Sequence, residues 1–372
     1  MQFSFYFFHY GCFLAVLAWA GAFMAATPAQ AAPPVQPVVA ASALPAGSIN
    51  LRVVGGLASV NQFIRLEEPF WTQELPRLSQ GRFSAEIVAF DRANIPGMQM
   101  LQLLHLGVVP FGTMLMSHVA AQYPQYAAPD LAGLNPDIAQ LRTTVEAFRP
   151  YLEKSLREQH GIEPLAIYIY PAQVLFCKKP LSGLADVVGR RIRVSSSSQG
   201  DFVVALGAVA VRTEFARIME ALNLGALDCA MTSASAGNAM GLHTATSHLY
   251  ALPVTWGMAI FGANSAAWHA LPADLKTLLR TELPRLEARV WRDAERDTVM
   301  GINCNRGAAT CVGGAPGRMV VVPISAQDER LRDEIFRTTV LPRWLQRCGD
   351  GCAALWRDTI GAARGIALPV LP

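Results

Sequence analysis

Residues Val188–Ser233 decide the fold of this chain, and they read VGRRIRVSSSSQGDFVVALGAVAVRTEFARIMEALNLGALDCAMTS. Short apolar stretches alternate here with helical ones, and Gly207 and Gly225 stand where helices commonly end on a left-handed residue. Short, continuously apolar strands separated by helices indicate parallel pairing in a sheet buried on both faces, as in an α/β protein. The predicted strands and helices are, in chain order, Arg191–Val194, Gln199–Leu206, Ala208–Val211, Glu214–Leu224 and Ala226–Met231.

The same alternation extends outward from this segment in both directions. Apolar stretches predict further strands at Asn50–Gly55, Phe83–Phe90, Val108–Met116 and Pro164–Tyr170. Amphipathic stretches predict helices at Val60–Leu78, Gly97–Leu106, Ala139–His160 and Leu275–Thr298. The α/β assignment therefore applies to most of the chain.

Composition narrows the class of protein. At about 150 residues for each domain, the 372 residues suggest two domains, with three as the alternative. Hydrophobic residues make up 52% and charged residues 16%, below the usual value of about 25%, which excludes intrinsic disorder for most of the chain. The net charge is only +3, from 31 basic and 28 acidic side chains, and no basic tract is present. Nucleic acid is therefore not expected as a partner.

The N-terminal region has the composition of an export signal. No Asp, Glu, Lys or Arg precedes Arg52, and Cys12–Ala26 is an apolar core of signal-peptide length. Ala29–Ala31 then forms a small-x-small cleavage site, which predicts a signal peptide at 1–31 and a Pro/Ala linker at 32–48. Because a basic n-region is missing, an uncleaved membrane anchor is the alternative. Both interpretations place the body outside the cytoplasm, in the periplasm.

Common catalytic motifs are absent from the sequence. It contains no phosphate-binding G-x-x-x-x-G-K-[ST], no nucleophile elbow G-x-S-x-G and no zinc-binding H-E-x-x-H. The histidines are scattered, and the spacing of His243 and His248 suits one helix face poorly. We therefore predict no catalytic residues, no metal and no cofactor.

Apart from Cys12 in the apolar core of the signal peptide, the cysteines fall into two close pairs and two isolated positions. Cys304 and Cys311 bracket a loop composition, and Cys348 and Cys352 bracket Gly-Asp-Gly. In an oxidising compartment these pairs predict two short-loop disulfides, although crossed pairings and a four-thiolate zinc site remain alternatives. The two cysteines in apolar strands are expected to be buried thiols: Cys177 and Cys229.

Several segments together resemble one receptor family. Residues 181–194, LSGLADVVGRRIRV, resemble the Asp-Leu-x-Gly-Leu-Lys-Ile-Arg-Val signature of the DctP-like solute-binding receptors of tripartite ATP-independent periplasmic (TRAP) transporters. Residues 205–211 (ALGAVAV), 215–228 (FARIMEALNLGALD) and 268–275 (WHALPADL) resemble further elements of that family in the same order. The agreement in order and spacing covers about residues 50 to 300.

The resemblance implies a two-lobed periplasmic-binding-protein-like fold with hinge strands and a long lobe-spanning helix. Lobe I would comprise 49–171 and, with the long helix, 257–297. Lobe II would comprise 172–256 and 298–372, the latter including the cysteine-containing tail. The chain would cross between lobes near Pro171, Trp256 and Asp297.

The resemblance also implies an arginine that holds the carboxylate of an organic acid, and it places that arginine at Arg193. A guanidinium offers two parallel donors that fit a carboxylate, which lysine cannot reproduce. Arg191 shares a face with Arg193 in an alternating strand. The alternative is that both arginines are ordinary ion-paired surface residues.

Other pocket positions carry over from the family with less specificity. Phe215 occupies the position of an aromatic that packs against the bound acid, and Thr232 stands where many members have asparagine. Gln173 replaces a second arginine of some members, so a doubly clamped ligand is not expected. Core packing is an alternative for the aromatic positions. The full set of predicted ligand-binding residues is Arg193, Phe215, Thr232, Ser233, Gln173, Thr113 and Trp256.

The sequence therefore predicts a non-enzymatic, monomeric receptor. It would capture a small organic acid in a closing cleft and deliver it to the membrane subunits of a TRAP transporter. A carboxylate-sensing receptor and a periplasmic enzyme are the alternatives.

Overall fold

A computed structural model describes residues 48–369, so the predicted signal peptide and all but the last residue of the linker lie outside the described residues. The strands in this part of the chain are β1 (Ile49–Gly55), β2 (Phe83–Ala89), β3 (Phe111–Leu115), β4 (Ile162–Ile169), β5 (Gln173–Cys177), β6 (Arg191–Val194), β7 (Val209–Arg212), β8 (Cys229–Ser233), β9 (His248–Thr255), β10 (Met258–Asn264) and β11 (Val320–Val322).

The strands form two sheets. The first has the order β2-β1-β3-β10-β4 and the second the order β11-β9-β5-β8-β6-β7. Pairing is parallel among β1, β2 and β3 and among β6, β7 and β8, as the apolar strand pattern predicted. It is antiparallel where β10 meets β3 and β4 and where β5 meets β8 and β9. Both sheets are therefore mixed. At two points the chain leaves one sheet and directly enters the other, from β4 into β5 and from β9 into β10.

Helices cover and connect the sheets. They are α1 (Leu75–Leu78), α2 (Met100–His105), α3 (Met116–Val119), α4 (Ile138–His160), α5 (Ser197–Ala205), α6 (Ile218–Asn223), α7 (Ala234–Ala239), α8 (Leu242–Ala245), α9 (Ser265–His269), α10 (Ala273–Asn305), α11 (Ala326–Ile335), α12 (Leu341–Cys348), α13 (Cys352–Trp356) and α14 (Ala362–Arg364). Short 3₁₀ or π-helical turns lie at Phe63–Glu67, Phe70–Glu74, Gly97–Gln99, Pro124–Asp130, Leu184–Val187, Phe215–Arg217, Phe336–Val340 and Arg357–Gly361.

The long helix α10 contacts both sheet regions. Its buried face is apolar at helical spacing, including Leu275, Leu279 and Leu283. Trp291 Nε1 donates to the backbone oxygen of a β4 residue at 3.1 Å, and Asn305 Nδ2 donates to the first residue of α7 at 2.8 Å. The helix runs seven residues beyond the predicted end at 298 because this packing continues to Asn305.

The C-terminal helices also contact both sheet regions. Arg364 donates to the side chains of Asn135 and Thr144 beside and within α4. Arg347 forms a salt bridge with Asp201 of α5, which flanks the second sheet. Within residues 48–369, no helix combines the length and the apolar character needed to cross a membrane.

Three disulfides are present among the described cysteines. Cys304–Cys311 and Cys348–Cys352 are bonded, which confirms the two predicted short-loop pairs. The expectation of free buried thiols at Cys177 and Cys229 is wrong, because these residues form a third disulfide. They face each other across the antiparallel β5–β8 pair with their Cα atoms 4.1 Å apart. Because the two cysteines are 52 residues apart in the sequence, their spacing does not indicate that they face each other across neighbouring strands.

Candidate functional site

A cavity of about 180 Å³ is lined by residues of both sheets and of α10. Phe90 follows β2, Tyr170 lies between β4 and β5, Arg193 belongs to β6, Ser233 ends β8, and Val290 belongs to α10. A cavity of this volume has room for several water molecules. The cavity therefore suits a small molecule rather than a polymer.

Arg193 is the buried cation of this cavity. Its residue surface is 5% exposed, Nε donates to Thr213 O at 3.0 Å, and Nη1 donates to Met231 O at 2.8 Å. Both acceptors are neutral, and within residues 48–369 Arg193 has no salt bridge to a carboxylate. Burial lowers the pKa of Arg193 to about 10. A desolvated guanidinium without a direct salt bridge is a strong attractor for an anion, because a buried charge without a hydrogen-bonded counter-ion is costly.

The neighbouring Arg191 has a different environment. Its Nε and Nη2 donate to the two carboxylate oxygens of Asp228, each at 2.9 Å, and its side chain is 43% exposed. Hydrogen bonds from Arg191 hold the pKa of Asp228 down at about 2. Arg191 does not line the cavity. The ion-paired alternative considered for both arginines therefore describes Arg191 and not Arg193.

Four further predicted residues surround the same cavity: Phe215, Thr232, Ser233 and Gln173. Phe215 is half-buried, and Thr232 is buried at the carboxyl end of β8. The Ser233 hydroxyl accepts from a backbone N–H in the first turn of α7, and the Gln173 Oε1 accepts from Gln199 at 2.8 Å. The structure thus brings five of the seven predicted positions together with Arg193 among them.

Thr113 and Trp256 do not line the cavity. Thr113 is fully buried in β3, where its hydroxyl donates to Glu67 Oε1 at 3.3 Å. The Trp256 indole donates to the Asn135 backbone oxygen at 3.0 Å, so it packs against a loop instead. The residues two positions further along each segment, Leu115 and Met258, do line the cavity. The geometry gives Thr113 and Trp256 structural contacts and no contact with the cavity.

Several cavity residues were missed by the sequence reasoning. Arg212 ends β7, Glu214 follows it, and His118 lies in α3 directly after β3. All three therefore lie at the carboxyl end of a strand, where ligands bind in open α/β sheets. That rule could have found them. Burial lowers the pKa of His118, and the nearby Arg212 and Arg193 lower it further, whereas Glu214 raises it.

Three carboxylates complete the lining: Asp91, Asp293 and Asp297. Asp91 follows β2, and the other two lie one turn apart on α10. No signal in the sequence distinguishes the α10 pair from the many Arg/Glu pairs of the same helix. The cavity therefore has acidic as well as basic side chains in its walls.

Several solved structures of solute receptors share this fold. The DctP7 extracytoplasmic solute receptor of Bordetella pertussis, with pyroglutamic acid, is 19% identical and matches 84% of this chain and 99% of its own with a TM-score of 0.74. A TRAP receptor of Desulfovibrio salexigens with orotic acid is 17% identical. The match covers 86% of this chain and 99% of the receptor, with a TM-score of 0.74. A Pseudomonas aeruginosa TRAP receptor with L-malate is 16% identical, and the match covers 77% of this chain and 97% of the receptor, with a TM-score of 0.66. The predicted two-lobed fold is confirmed by these matches.

Sequence comparison identifies the family. No curated protein matches the chain significantly. The family profile described as bacterial extracellular solute-binding protein, family 7 (DctP), matches residues 58–299, which is more than half of the chain. The resemblance inferred from the motifs of residues 181–275 is thereby confirmed. The chain belongs to the DctP family of bacterial extracellular solute-binding proteins.

Proposed function

We propose that this protein is an extracytoplasmic receptor that binds a small organic acid and delivers it to the membrane subunits of a TRAP transporter. The observation that carries the proposal is the buried guanidinium of Arg193, which lines a small cavity. Its hydrogen-bond partners in the protein are two backbone carbonyls. Membership of a solute-binding family and the acids bound by the similar receptors support it. The protein would act without turnover and without a cofactor, as a monomer.

Arg193 would hold the ligand carboxylate with its remaining N–H groups. The hydroxyls of Thr232 and Ser233 lie at the end of the neighbouring strand β8 and would offer further hydrogen bonds. Phe215 would cover the apolar part of the ligand. Gln173 is held by Gln199 and would shape the pocket floor.

We also propose that the two sheet regions move as lobes and close over the ligand. Lobe I would comprise 49–171 and 257–297, and lobe II 172–256 and 298–372, with crossings near Pro171, Trp256 and Asp297. Pro171 and Asp297 line the cavity, so closure would bring both lobes onto the ligand. Small-angle scattering should show a smaller radius of gyration at ligand saturation, and an unchanged radius would contradict closure.

The test of the binding site compares Arg193→Ala with Arg193→Lys and Arg191→Ala. A thermal-shift screen of mono- and dicarboxylates on the mature protein first identifies the best ligand for calorimetry. Removing the guanidinium leaves the anion desolvated and unpaired, so Arg193→Ala should lose roughly 2–5 kcal/mol, or about 30-fold to several thousand-fold in affinity. Arg193→Lys should recover part of that loss, because it retains the charge but not the paired donors.

Arg191→Ala is the matched control on the same strand. Arg191 forms its salt bridge with Asp228 and does not line the cavity. The Arg191→Ala variant should therefore bind the ligand with nearly the affinity of the unmodified protein. Equal and small losses for the Arg191 and Arg193 variants would contradict the assignment.

A further inference from the structure

A buried glutamine beside the cavity has its amide orientation fixed by the backbone. Gln199 lies in the first turn of α5 and is 1% exposed. Its Oε1 accepts from the backbone N–H of Ser195 at 2.8 Å and from the Ser195 hydroxyl at 3.0 Å. A backbone N–H can only donate, so the amide atom that faces it must be the oxygen. The amide nitrogen of Gln199 therefore points the other way.

That nitrogen in turn fixes the orientation of Gln173. Gln199 Nε2 donates to Gln173 Oε1 at 2.8 Å and to Thr255 Oγ1 at 2.7 Å. If the Gln173 amide were reversed, two NH₂ groups would face each other without an acceptor between them. Gln173 therefore turns its Nε2, which can only donate, away from Gln199.

The Nε2 of Gln173 is open. It donates to no acceptor within residues 48–369, and it is not among the enclosed polar atoms of that part of the chain. It lies against Gly257, where a Cβ would come within 3.0 Å of it. Gln173 and Gly257 line the cavity and also a side cavity of about 50 Å³, and the two cavities further share Ser117, Ser195 and Met258. A donor-only group is thus available where the two cavities meet.

This open amide is separate from the guanidinium of Arg193. Strand β8 lies between β5 and β6 in the second sheet. Gln173 lies opposite Ser233 of β8, and Arg193 lies opposite Ala230, three residues earlier. Two strand spacings are about 10 Å, and three residues along a strand are also about 10 Å, so the two Cα atoms are roughly 14 Å apart. We therefore expect the two side chains to contact different parts of a ligand.

The side cavity offers no free cation to a second carboxylate. Among the described residues, the charged side chains that line it are those of Asp130 and Arg347. Arg347 is paired with Asp201 at 2.6 Å, and Asp130 is itself a carboxylate that accepts from two backbone N–H groups. A second carboxylate would leave water for a neutral amide and a like charge, which is costly. An uncharged acceptor suits the position next to Gln173 better.

We propose that Gln199 is a positioning residue that makes Gln173 a hydrogen-bond donor to the ligand, and that the bound acid carries an uncharged oxygen acceptor besides its carboxylate. This inference rests on the proposed function, in which Arg193 holds the carboxylate. A ketone oxygen only accepts and a hydroxyl accepts as well as donates, so both groups fit the open amide. A substituent that can only donate does not fit it.

Matched ligands test the acceptor. Calorimetry on the mature protein compares the straight-chain acids from propanoate to hexanoate with their 2-oxo, 4-oxo and 5-oxo derivatives. In at least one pair the oxo acid should bind about 3- to 10-fold more tightly, the net effect of one hydrogen bond between uncharged groups. If no oxo acid binds more tightly than its parent acid, the inference is wrong and the proposed function stands. If no carboxylate binds at all, the proposed function itself is wrong.

Gln199→Glu tests the positioning role. A carboxylate at position 199 still accepts from Ser195 but cannot donate, so the Gln173 amide should turn its nitrogen toward it and its oxygen toward the ligand. The oxo acid should then bind no more tightly than its parent acid, whereas the matching hydroxy acid, which can donate, should keep its advantage. Gln346→Glu is the matched control, because Gln346 is exposed and lines neither cavity. It should retain the preference for the oxo acid.

A comparison of all three ligands separates this role from a merely structural one. An added charge or a distorted hinge would weaken the parent, oxo and hydroxy acids by the same factor, and such an equal loss in Gln199→Glu would overturn the inference. Circular dichroism checks that the variant folds. If it does not, Gln173→Leu removes the same donor and should likewise abolish the difference between the oxo acid and its parent. A difference that persists in Gln173→Leu would also overturn the inference.

Discussion

The disulfide between Cys177 and Cys229 should contribute more to stability than the others. It joins β5 to β8, and both residues are fully buried. At the opposite end of the same strand pair, Gln173 faces Ser233 and both line the cavity. The bond therefore closes a long loop and also fixes two strands whose side chains line the cavity.

The loop lengths give the magnitude. Restricting the unfolded chain over a separation of 52 residues corresponds to about 4 kcal/mol in the loop-entropy relation, and a separation of 7 residues corresponds to about 2 kcal/mol. Replacing Cys177 and Cys229 by alanine should thus lower the free energy of unfolding by about 4 kcal/mol. The matched double variant of Cys304 and Cys311 should lower it by about half as much.

Urea unfolding of the oxidised proteins, followed by circular dichroism, measures both losses. Mass spectrometry after alkylation of the denatured, unreduced protein provides a separate check on the bond. Modification of Cys177 or Cys229 in that experiment, or a smaller loss for this pair than for Cys304 and Cys311, would refute the reasoning.

Three further predictions follow from single positions. Burial raises the pKa of Asp130 from 3.8 to about 6, so between these pH values the native state holds a proton that the unfolded state has lost. The free energy of unfolding should therefore fall by about 3 kcal/mol as the pH rises from about 4 to about 6. Urea titrations should show that Asp130→Asn removes this dependence on pH. A Cβ at Gly301 would lie 2.2 Å from Ser235 N, so Gly301→Ala should lower the thermal midpoint and reduce the free energy of unfolding by roughly 1–3 kcal/mol. In a solvent-exposed helix the same substitution would be stabilising. Mass spectrometry of periplasmic protein should find a chain that begins at Ala32, whereas an intact N-terminus in the membrane fraction would indicate an anchor.

Much of the fold was predictable because its elements have local signals. The strand Arg191–Val194 has the predicted bounds, and α4 begins one residue before the predicted position, since an apolar stretch and a glycine stop are readable in sequence. The antiparallel pairing of β5 was not predictable, because Gln173–Cys177 has the same apolar character as the parallel strands. What reverses its direction is the route of the chain between sheets, which no local pattern records.

The site was predictable only where the family pattern supplied positions. Spacing alone cannot separate Arg191 from Arg193, because the difference between them is a carboxylate partner, Asp228, that lies 37 residues further along the chain. The same limit explains Thr113, which lies on the predicted strand but is too deep in the sheet to reach the cavity. Long-range contacts decide which of two similar side chains is available to a ligand.

The crossing after β9 shows how the site and the proposed hinge are linked. Gly257 has φ +81°, and its N–H donates to Asp130 Oδ2 at 2.7 Å. A Cβ there would lie 3.0 Å from the Gln173 Nε2 and 3.3 Å from the Tyr170 ring, so both the backbone conformation and the space favour glycine. Tyr170 N in turn donates to the Gly257 oxygen at 3.1 Å, which joins the two crossing segments. Because Gly257, Tyr170 and Gln173 all line the cavity, we expect a change in the angle between the sheets to change the shape of the cavity as well.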